Sequence, residues 1–272
     1  MQVGFIGAGQ MATALAAGIA ESDSKPELLI FDPNPSALTA FESSLSGVAI
    51  RRCQGNQQVV SESDYIIIAV KPQMIDAALG GLGSDSAKQK TFISVVAGTT
   101  ISMLQRLLAN HHIIRSMPNT PCLIKAGAIA VCRAADVPDE DFQIARQLLT
   151  SVGTVVEVAE DQMDAVTGLS GSGPAYVYTF VEALVDAGVM AGLPRQIAAQ
   201  LATQTVLGAA RMVVEKEMHP ANLRDQVTSP GGTTIHGLAE LEKSGFRSGI
   251  MLAVKAATKR ANELGQIGTQ NE

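Results

Sequence analysis

Val3-Gly4-Phe5-Ile6-Gly7-Ala8-Gly9-Gln10-Met11-Ala12 opens the chain with a short apolar run, a turn built on two glycines, and a helical stretch over residues 12–20. Glycine at 7 and 9 permits a tight turn and lets a phosphate approach the backbone, while N–H groups at the helix start face the anion. Ala12 takes the third position, where a small residue suffices for packing helix against strand. Such a glycine pattern is common by itself. A strand before it and a helix after it supply the context that a dinucleotide site requires.

More β-branched runs follow at residues 28–31, 65–70, 91–97 and 113–116, separated by helical or polar segments. This alternation predicts a parallel sheet covered on both faces, with ligands at the carboxyl ends of its strands. Those ends read Phe31-Asp32-Pro33-Asn34, Ala69-Val70-Lys71-Pro72, Val96-Ala97-Gly98 and Met117-Pro118-Asn119-Thr120-Pro121, all polar or small. Asp32, about 20 residues past the glycines, either accepts the ribose hydroxyls of NAD or only shapes its own turn with Pro33 and Pro35. No arginine stands beside it to favour NADP, yet Asn34 and Asn56 are able to donate to a phosphate, so the sequence leaves the cofactor open. Lys71 reads equally well as a phosphate or substrate contact and as a solvated loop lysine.

Composition narrows the classes. A chain of 272 residues is too long for one small core and predicts two domains. A hydrophobic fraction of 46% argues against disorder, and a net charge of -6 without a basic run argues against nucleic acid as a partner. No apolar stretch approaches the ~18 residues of a membrane span, and no basic segment precedes the first strand, so a membrane protein and a signal peptide are not expected. Cys53, Cys122 and Cys132 are odd in number and lack CxxC spacing, which predicts reduced structural thiols in a cytoplasmic protein rather than disulfides or zinc. No HxxxH pattern suggests another metal.

From about Asp161 the texture changes to helical periodicity broken by Gly and Pro. Residues 175–190 are apolar almost all round, Gly192 stops that helix, and Pro194 starts another that runs to about Glu215. Helices apolar on every side must be enclosed on every side, which predicts an intimate homodimer. Between two later helical patterns lies Asp225-Gln226-Val227-Thr228-Ser229-Pro230-Gly231-Gly232-Thr233-Thr234-Ile235. Thr233 or Thr234 could merely cap the helix that follows, but a cap needs one hydroxyl. The cluster of hydroxyls and glycine N–H groups suits a carboxylate. No Cys–His or Ser–His–Asp set is evident, and His219 and His236 read as partners of local hydrogen bonds. An alcohol dehydrogenase needs a strong acid or base. A protonated cyclic imine already accepts hydride, so a site of hydroxyls and amides fits imine reduction better.

At this point the chain resembles the pyrroline-5-carboxylate reductase family. The resemblance rests on Phe5-Ile6-Gly7-Ala8-Gly9-Gln10-Met11, Ala69-Val70-Lys71-Pro72, Met117-Pro118-Asn119-Thr120-Pro121, Gly168-Leu169-Ser170-Gly171-Ser172-Gly173-Pro174-Ala175-Tyr176, and the block from His219-Pro220 to Phe246-Arg247. It covers essentially the whole chain. It implies an α/β fold with an N-terminal Rossmann-type parallel-sheet domain over 1–160 and an all-helical dimerisation and substrate-binding domain over 161–272. It also implies NADPH, with NADH possible, reducing 1-pyrroline-5-carboxylate to proline. The family's cofactor contacts fall on Ile6, Gly7, Ala8, Gly9, Gln10, Met11, Asn34, Asn56, Ala69, Val70, Lys71, Pro72, Ala97 and Gln226. Its substrate contacts fall on Glu217, Ser229, Gly231, Gly232, Thr233 and Thr234. Thr233 is the residue implied to hydrogen-bond the ring nitrogen and deliver the proton, although a one-residue shift would give that role to Thr234. Asp32 departs from the small residue common in NADPH-preferring relatives. Dimers in many members join into decamers. A β-hydroxyacid dehydrogenase would share the architecture but carries a lysine and an asparagine in the helix after its glycine-rich turn, and residues 175–192 hold neither.

Overall fold

The computed structural model describes residues 1–22, 25–82 and 88–270. Its strands are β1 (Gln2–Ile6), β2 (Glu27–Phe31), β3 (Ile50–Arg52), β4 (Tyr65–Ile68), β5 (Thr91–Ser94), β6 (His112–Met117), β7 (Gly127–Arg133) and β8 (Gly153–Glu157). Between them run α1 (Gln10–Ala20), α2 (Pro35–Ser44), α3 (Asn56–Glu62), α4 (Ile75–Leu79), α5 (Ile101–Leu107) and α6 (Asp139–Thr150). The strands form one sheet in the order β3-β2-β1-β4-β5-β6-β7-β8, parallel except between β6 and β7. β1 lies between β2 and β4, with Phe5 opposite Ile30 on one side and Ile67 on the other. Ile66, Ile67 and Ile68 are all fully buried. A strand covered by helices on both faces needs apolar side chains at every position, hence the unbroken isoleucine run.

Five strands stand where the apolar runs predict them. β3 escapes that reading because it is a three-residue edge strand carrying Arg51 and Arg52. β7 and β8 extend the sheet beyond the five foreseen, and the β6–β7 pairing corrects the expectation of an all-parallel sheet. Residues 118–126, with a 3₁₀ turn at Thr120–Ile124, are too short a connection for a crossover helix, so the chain can only return antiparallel.

The structure divides into two compact units, Met1–Ser172 with Ala256–Glu272, and Gly173–Lys255. The first ends its contiguous part with α7 (Met163–Val166) and a π-helical turn, Thr167–Gly171. The second holds α8 (Gly173–Met190), α9 (Arg195–Lys216), α10 (Pro220–Gln226), α11 (Thr233–Lys243) and the start of α12 (Phe246–Gln270). No described residue beyond β8 is in a strand, as the periodicity predicts. α8 stops where Gly192 takes φ +98 and Leu193 N–H reaches back to Gly188 O at 3.0 Å, a glycine-based helix ending. Asp186 then pairs with Arg195 at 2.9 Å.

The helical unit has a small core of its own, in which Val185 of α8 meets Ala198 and Ala202 of α9. Val177, Tyr178, Leu201, Val214, Met251 and Leu252 are exposed in the single chain. Within this unit α9 is long and apolar enough to cross a membrane by length and composition alone. That corrects the expectation that no stretch reaches this length. Gln196, Gln200, Gln204 and Arg211 interrupt the apolar run without lowering its average far.

At the amino ends of β4, β5 and β6, one carboxylate gathers three strands. Asp141, in the first turn of α6, accepts from Tyr65 Oη at 2.8 Å and Thr91 Oγ1 at 2.9 Å, and its Oδ2 lies 3.1 Å from His112 Nδ1. Burial pushes the Asp141 carboxyl up, but the three hydrogen bonds outweigh it and hold the group below its usual range. Tyr65 is pushed up by burial and by the bond to Asp141. Removing such a charged acceptor leaves its donors unmatched, so Asp141→Ala should lose about 1–3 kcal/mol of stability in urea unfolding at neutral pH. Because the folded carboxyl is depressed, this contribution is full above the ordinary carboxylate range of about 4 and fades as pH falls through the folded value. Mutant and wild-type stabilities should therefore converge in acid, and a gap that widens there would contradict the arrangement.

Candidate active site

The strand order reverses between β1 and β4, and in sheets of this kind the carboxyl ends on either side of that point form the ligand crevice. Here Gly7 takes φ +99, and a Cβ on it would lie 2.7 Å from the Ala69 carbonyl oxygen. Only glycine fits. Gly9 is different: its backbone is extended at φ -75, and a Cβ on it would meet no atom within 4 Å. The fold therefore makes no demand for glycine at 9, and the open space before its α-carbon has room for a phosphate. No side chain caps α1, whose first bond is Thr13 N–H to Gly9 O at 3.0 Å, so the N–H groups of Gln10 and Met11 are left for an anion.

Around this turn the expected residues are placed as follows. Ile6 and Ala8 are buried, and Ile6 O accepts from Ala69 N at 2.9 Å, extending the β1–β4 ladder to the start of the crevice. Val70 is half-buried, and exposed Lys71 precedes Pro72, which opens a 3₁₀ turn. Lys71 forms no ion pair among the described residues. Ala97 follows β5 and precedes Gly98, whose φ is +75. On the β2 side, Asn34 Oδ1 caps α2 by accepting from Ser36 N at 3.0 Å, which leaves its amide nitrogen as the free end. Asn56 Nδ2 donates to Ala78 O at 2.8 Å, and its Oδ1 is buried without a partner. The topology thus brings Ile6 to Met11, Ala69 to Pro72 and Ala97 to one end of the sheet, flanked by Asn34 and Asn56. Glu217, Gln226 and Ser229 to Thr234 belong to the other compact unit.

Two supporting residues have no local sequence signal. Asn119, nearly buried, donates from Nδ2 to Ser170 O at 3.0 Å and accepts from Ala128 N at 2.9 Å. It ties the Met117-to-Pro121 stretch to the π-helical turn, a feature frequent near functional sites. Glu160 Oε1 accepts from Ile101 N at 2.6 Å and from buried Arg115 at 3.4 Å. The Asn119–Ser170 and Glu160–Arg115 links span 51 and 45 residues of chain.

In the helical unit, α9 ends at Glu217, which takes a left-handed φ of +50. His219 Nδ1 accepts from Ala221 N at 3.2 Å and caps α10, the local role expected of it. Gln226 Nε2 lies 4.0 Å from Met218 Sδ. Ser229, Pro230, Gly231 and Gly232 form a tight turn closed by Gly232 N–H to Ser229 O at 3.1 Å, with Gly231 at φ +69 as the turn demands. A Cβ on Gly232 would collide with Ser229 Oγ. α11 then starts at Thr233 with Gly232 as its N-cap and no side-chain cap bond. Neither threonine caps the helix. Ser229 and Thr233 are exposed and Thr234 is half-buried, and their hydroxyls stand beside uncapped N–H groups at a positive helix end.

The three cysteines are free and buried. Burial raises all three thiols, Cys132 to about 11, so none is a nucleophile at neutral pH. Among the described residues no cluster of His, Cys, Asp and Glu could hold a metal ion.

The two turn glycines separate fold from binding. Gly9→Ala should keep stability within about 1 kcal/mol, the range of an N-cap change, yet weaken dinucleotide binding by filling the open space. Gly7→Ala should lose roughly 1–3 kcal/mol from backbone strain and binding with it. Thermal unfolding and fluorescence titration of each variant distinguish the two, and equal unfolding losses would refute the assignment.

Residues 160–264 match the family model for pyrroline-5-carboxylate reductase dimerisation, and residues 2–98 match that for NADP oxidoreductase, coenzyme F420-dependent. A pyrroline-5-carboxylate reductase of Synechocystis sp. is 46% identical over 268 residues, covering 98% of this chain and 99% of its own. Human pyrroline-5-carboxylate reductase 2 is 42% identical, covering 100% of this chain and 86% of its own. Among solved structures, a pyrroline-5-carboxylate reductase from Coxiella burnetii superposes with a TM-score of 0.89 at 34% identity, over 96% of this chain and 97% of that one. The Plasmodium falciparum pyrroline carboxylate reductase with NADP bound gives 0.84 at 33% identity, over 97% and 98%. With relatives of 42–46% identity and solved structures of 33–34% identity matching over nearly its full length, the chain belongs to the pyrroline-5-carboxylate reductase family.

Proposed function

We propose that this protein reduces 1-pyrroline-5-carboxylate to L-proline at the expense of NADPH, with NADH as an alternative donor, as the last step of proline biosynthesis. The observation that supports this most directly is the turn before α11. Ser229, Thr233 and Thr234 present hydroxyls at a helix N-terminus that none of them caps. Ser229, Gly231, Gly232 and Thr233 would hold the substrate carboxylate there, with Thr234 and Glu217 as further substrate contacts. Thr233 would hydrogen-bond the ring nitrogen and keep the C=N bond protonated.

The open space at Gly9 fits a dinucleotide phosphate, and Ile6, Gly7, Ala8, Gln10 and Met11 would form its cradle. Asn34 and Asn56 would serve the adenosine side and Ala69, Val70, Lys71, Pro72 and Ala97 the other side, with Gln226 a further cofactor contact. When bound, the nicotinamide supplies the hydride that the C5 of the imine accepts. A protonated imine needs no strong base, so the residues would act mainly by holding and orienting the reactants. In functional terms residues 1–160 would carry the cofactor and residues 161–272 the substrate and the subunit contacts.

The exposed apolar side chains of α8, α9 and α12 support a homodimer in which partner helices cover them, with dimers joined into a decamer. α9 would then meet protein, not lipid, which agrees with the glutamines, threonines and arginine that interrupt it. A cytoplasmic enzyme with neither nucleic acid nor membrane as partner completes the proposal.

NADPH oxidation with the racemic imine should be rapid and NADH oxidation slower, and no oxidation of either would instead indicate a non-catalytic nucleotide sensor. Thr233→Ala should lower kcat by about a hundredfold, the scale of a lost proton-delivering group, with nucleotide affinity nearly unchanged. Wild-type turnover in that variant together with loss in Thr234→Ala would transfer the role to Thr234. Light scattering should give a mass that is an even multiple of the chain, and a monomer would refute the assembly.

A further inference from the structure

Asp32 stands at the carboxyl end of β2, where an acidic side chain ordinarily sorts NADH from NADPH through the ribose. Its carboxylate is engaged elsewhere. Oδ2 accepts from Ala8 N at 2.8 Å, and Oδ1 accepts from Asn34 N at 2.8 Å. The first bond crosses from the end of β2 to the middle of the glycine-rich turn. The second closes the turn that leads into α2, where Asn34 in turn caps the helix through Ser36 N. Beside them, Gly7 N–H reaches Phe31 O at 2.9 Å. The loops after β1 and β2 are therefore joined by one backbone bond and one carboxylate.

We propose that Asp32 is a positioning residue of the cofactor site, which sets the glycine-rich turn through the Ala8 N–H instead of selecting between the two nicotinamide cofactors. The inference rests on the cofactor reading above but makes its own prediction. With Ala8 N–H already bonded, the donors left to a phosphate are those at Gly9 and the start of α1, and their direction depends on how the turn is held. A carboxylate is the smallest group that accepts from both loops at once. An asparagine keeps an acceptor for Asn34 N but turns an amide donor toward Ala8 N–H. A serine is long enough to close its own turn but too short to span to Ala8.

The two roles predict opposite patterns. If Asp32 positions the turn, Asp32→Asn and Asp32→Ser weaken binding of NADPH and NADH together by about tenfold, the effect of one lost charge-assisted hydrogen bond. Their ratio then stays within about twofold of wild type. If Asp32 selects the ribose, either variant loses NADH affinity and gains NADPH affinity, because a negative charge near the 2′-phosphate has gone. The measurement is calorimetric titration of each folded variant with NADPH and with NADH separately, alongside its thermal transition without ligand. A ratio shifted tenfold or more in favour of NADPH overturns the proposal, as does unchanged affinity for both. Binding is read without turnover. A wild-type protein that binds nucleotide yet leaves the imine unreduced would refute the catalytic reading and still test Asp32.

Discussion

The backbone of Gly7 lies against the carbonyl of Ala69 so closely that no side chain fits between them. That contact is where the loop after β1 passes the end of β4, at the point where the strand order reverses. It depends on β1 and β4 being in register, and the register depends on two strands whose side chains are buried on both faces. The direction of α1 then follows, because the turn delivers the helix with its N–H groups bare. A hydrophobic requirement in the sheet thus becomes a polar arrangement at its edge. Asp32 adds a second tie to the same turn from the neighbouring strand.

The helical unit is governed by a different constraint. α8 and α9 share only a small core, and much of their remaining apolar surface is exposed in the single chain. The family model for pyrroline-5-carboxylate reductase dimerisation matches this same region. The turn before α11 belongs to the same unit. Glycine rather than threonine caps that helix, so three hydroxyls remain beside its positive end.

Much of the fold was legible along the chain. Val3 to Ile6, 28–31, 65–70, 91–97 and 113–116 announced strands because both-face burial requires unbroken apolar runs. The helical half was legible from its period and from Gly192 and Pro194, which act through local backbone geometry. β3 was hidden by Arg51 and Arg52, which make it a short edge strand without an apolar run and which pair with Glu27, Glu62 and Glu42. The return of β7 depended on the shortness of residues 118–126, a limit that matters only once β6 is in place. Of the candidate site, the two turns were legible as turns because Gly7 and Gly231 take the positive φ that glycine allows.

The sequence by itself determined five of the eight described strands, the helical character of the chain beyond β8, and that hydroxyls and glycines gather in two places. These are decided by interactions over a few residues, and the residue types name them. Only the tertiary structure decided what individual polar groups do there. Asp32 faces Ala8 across 24 residues of chain, Asn119 faces Ser170 across 51, and Asp141 faces Tyr65 across 76. A carboxylate or amide carries no local mark of its partner, because the partner is chosen by strand order and register after the core has formed.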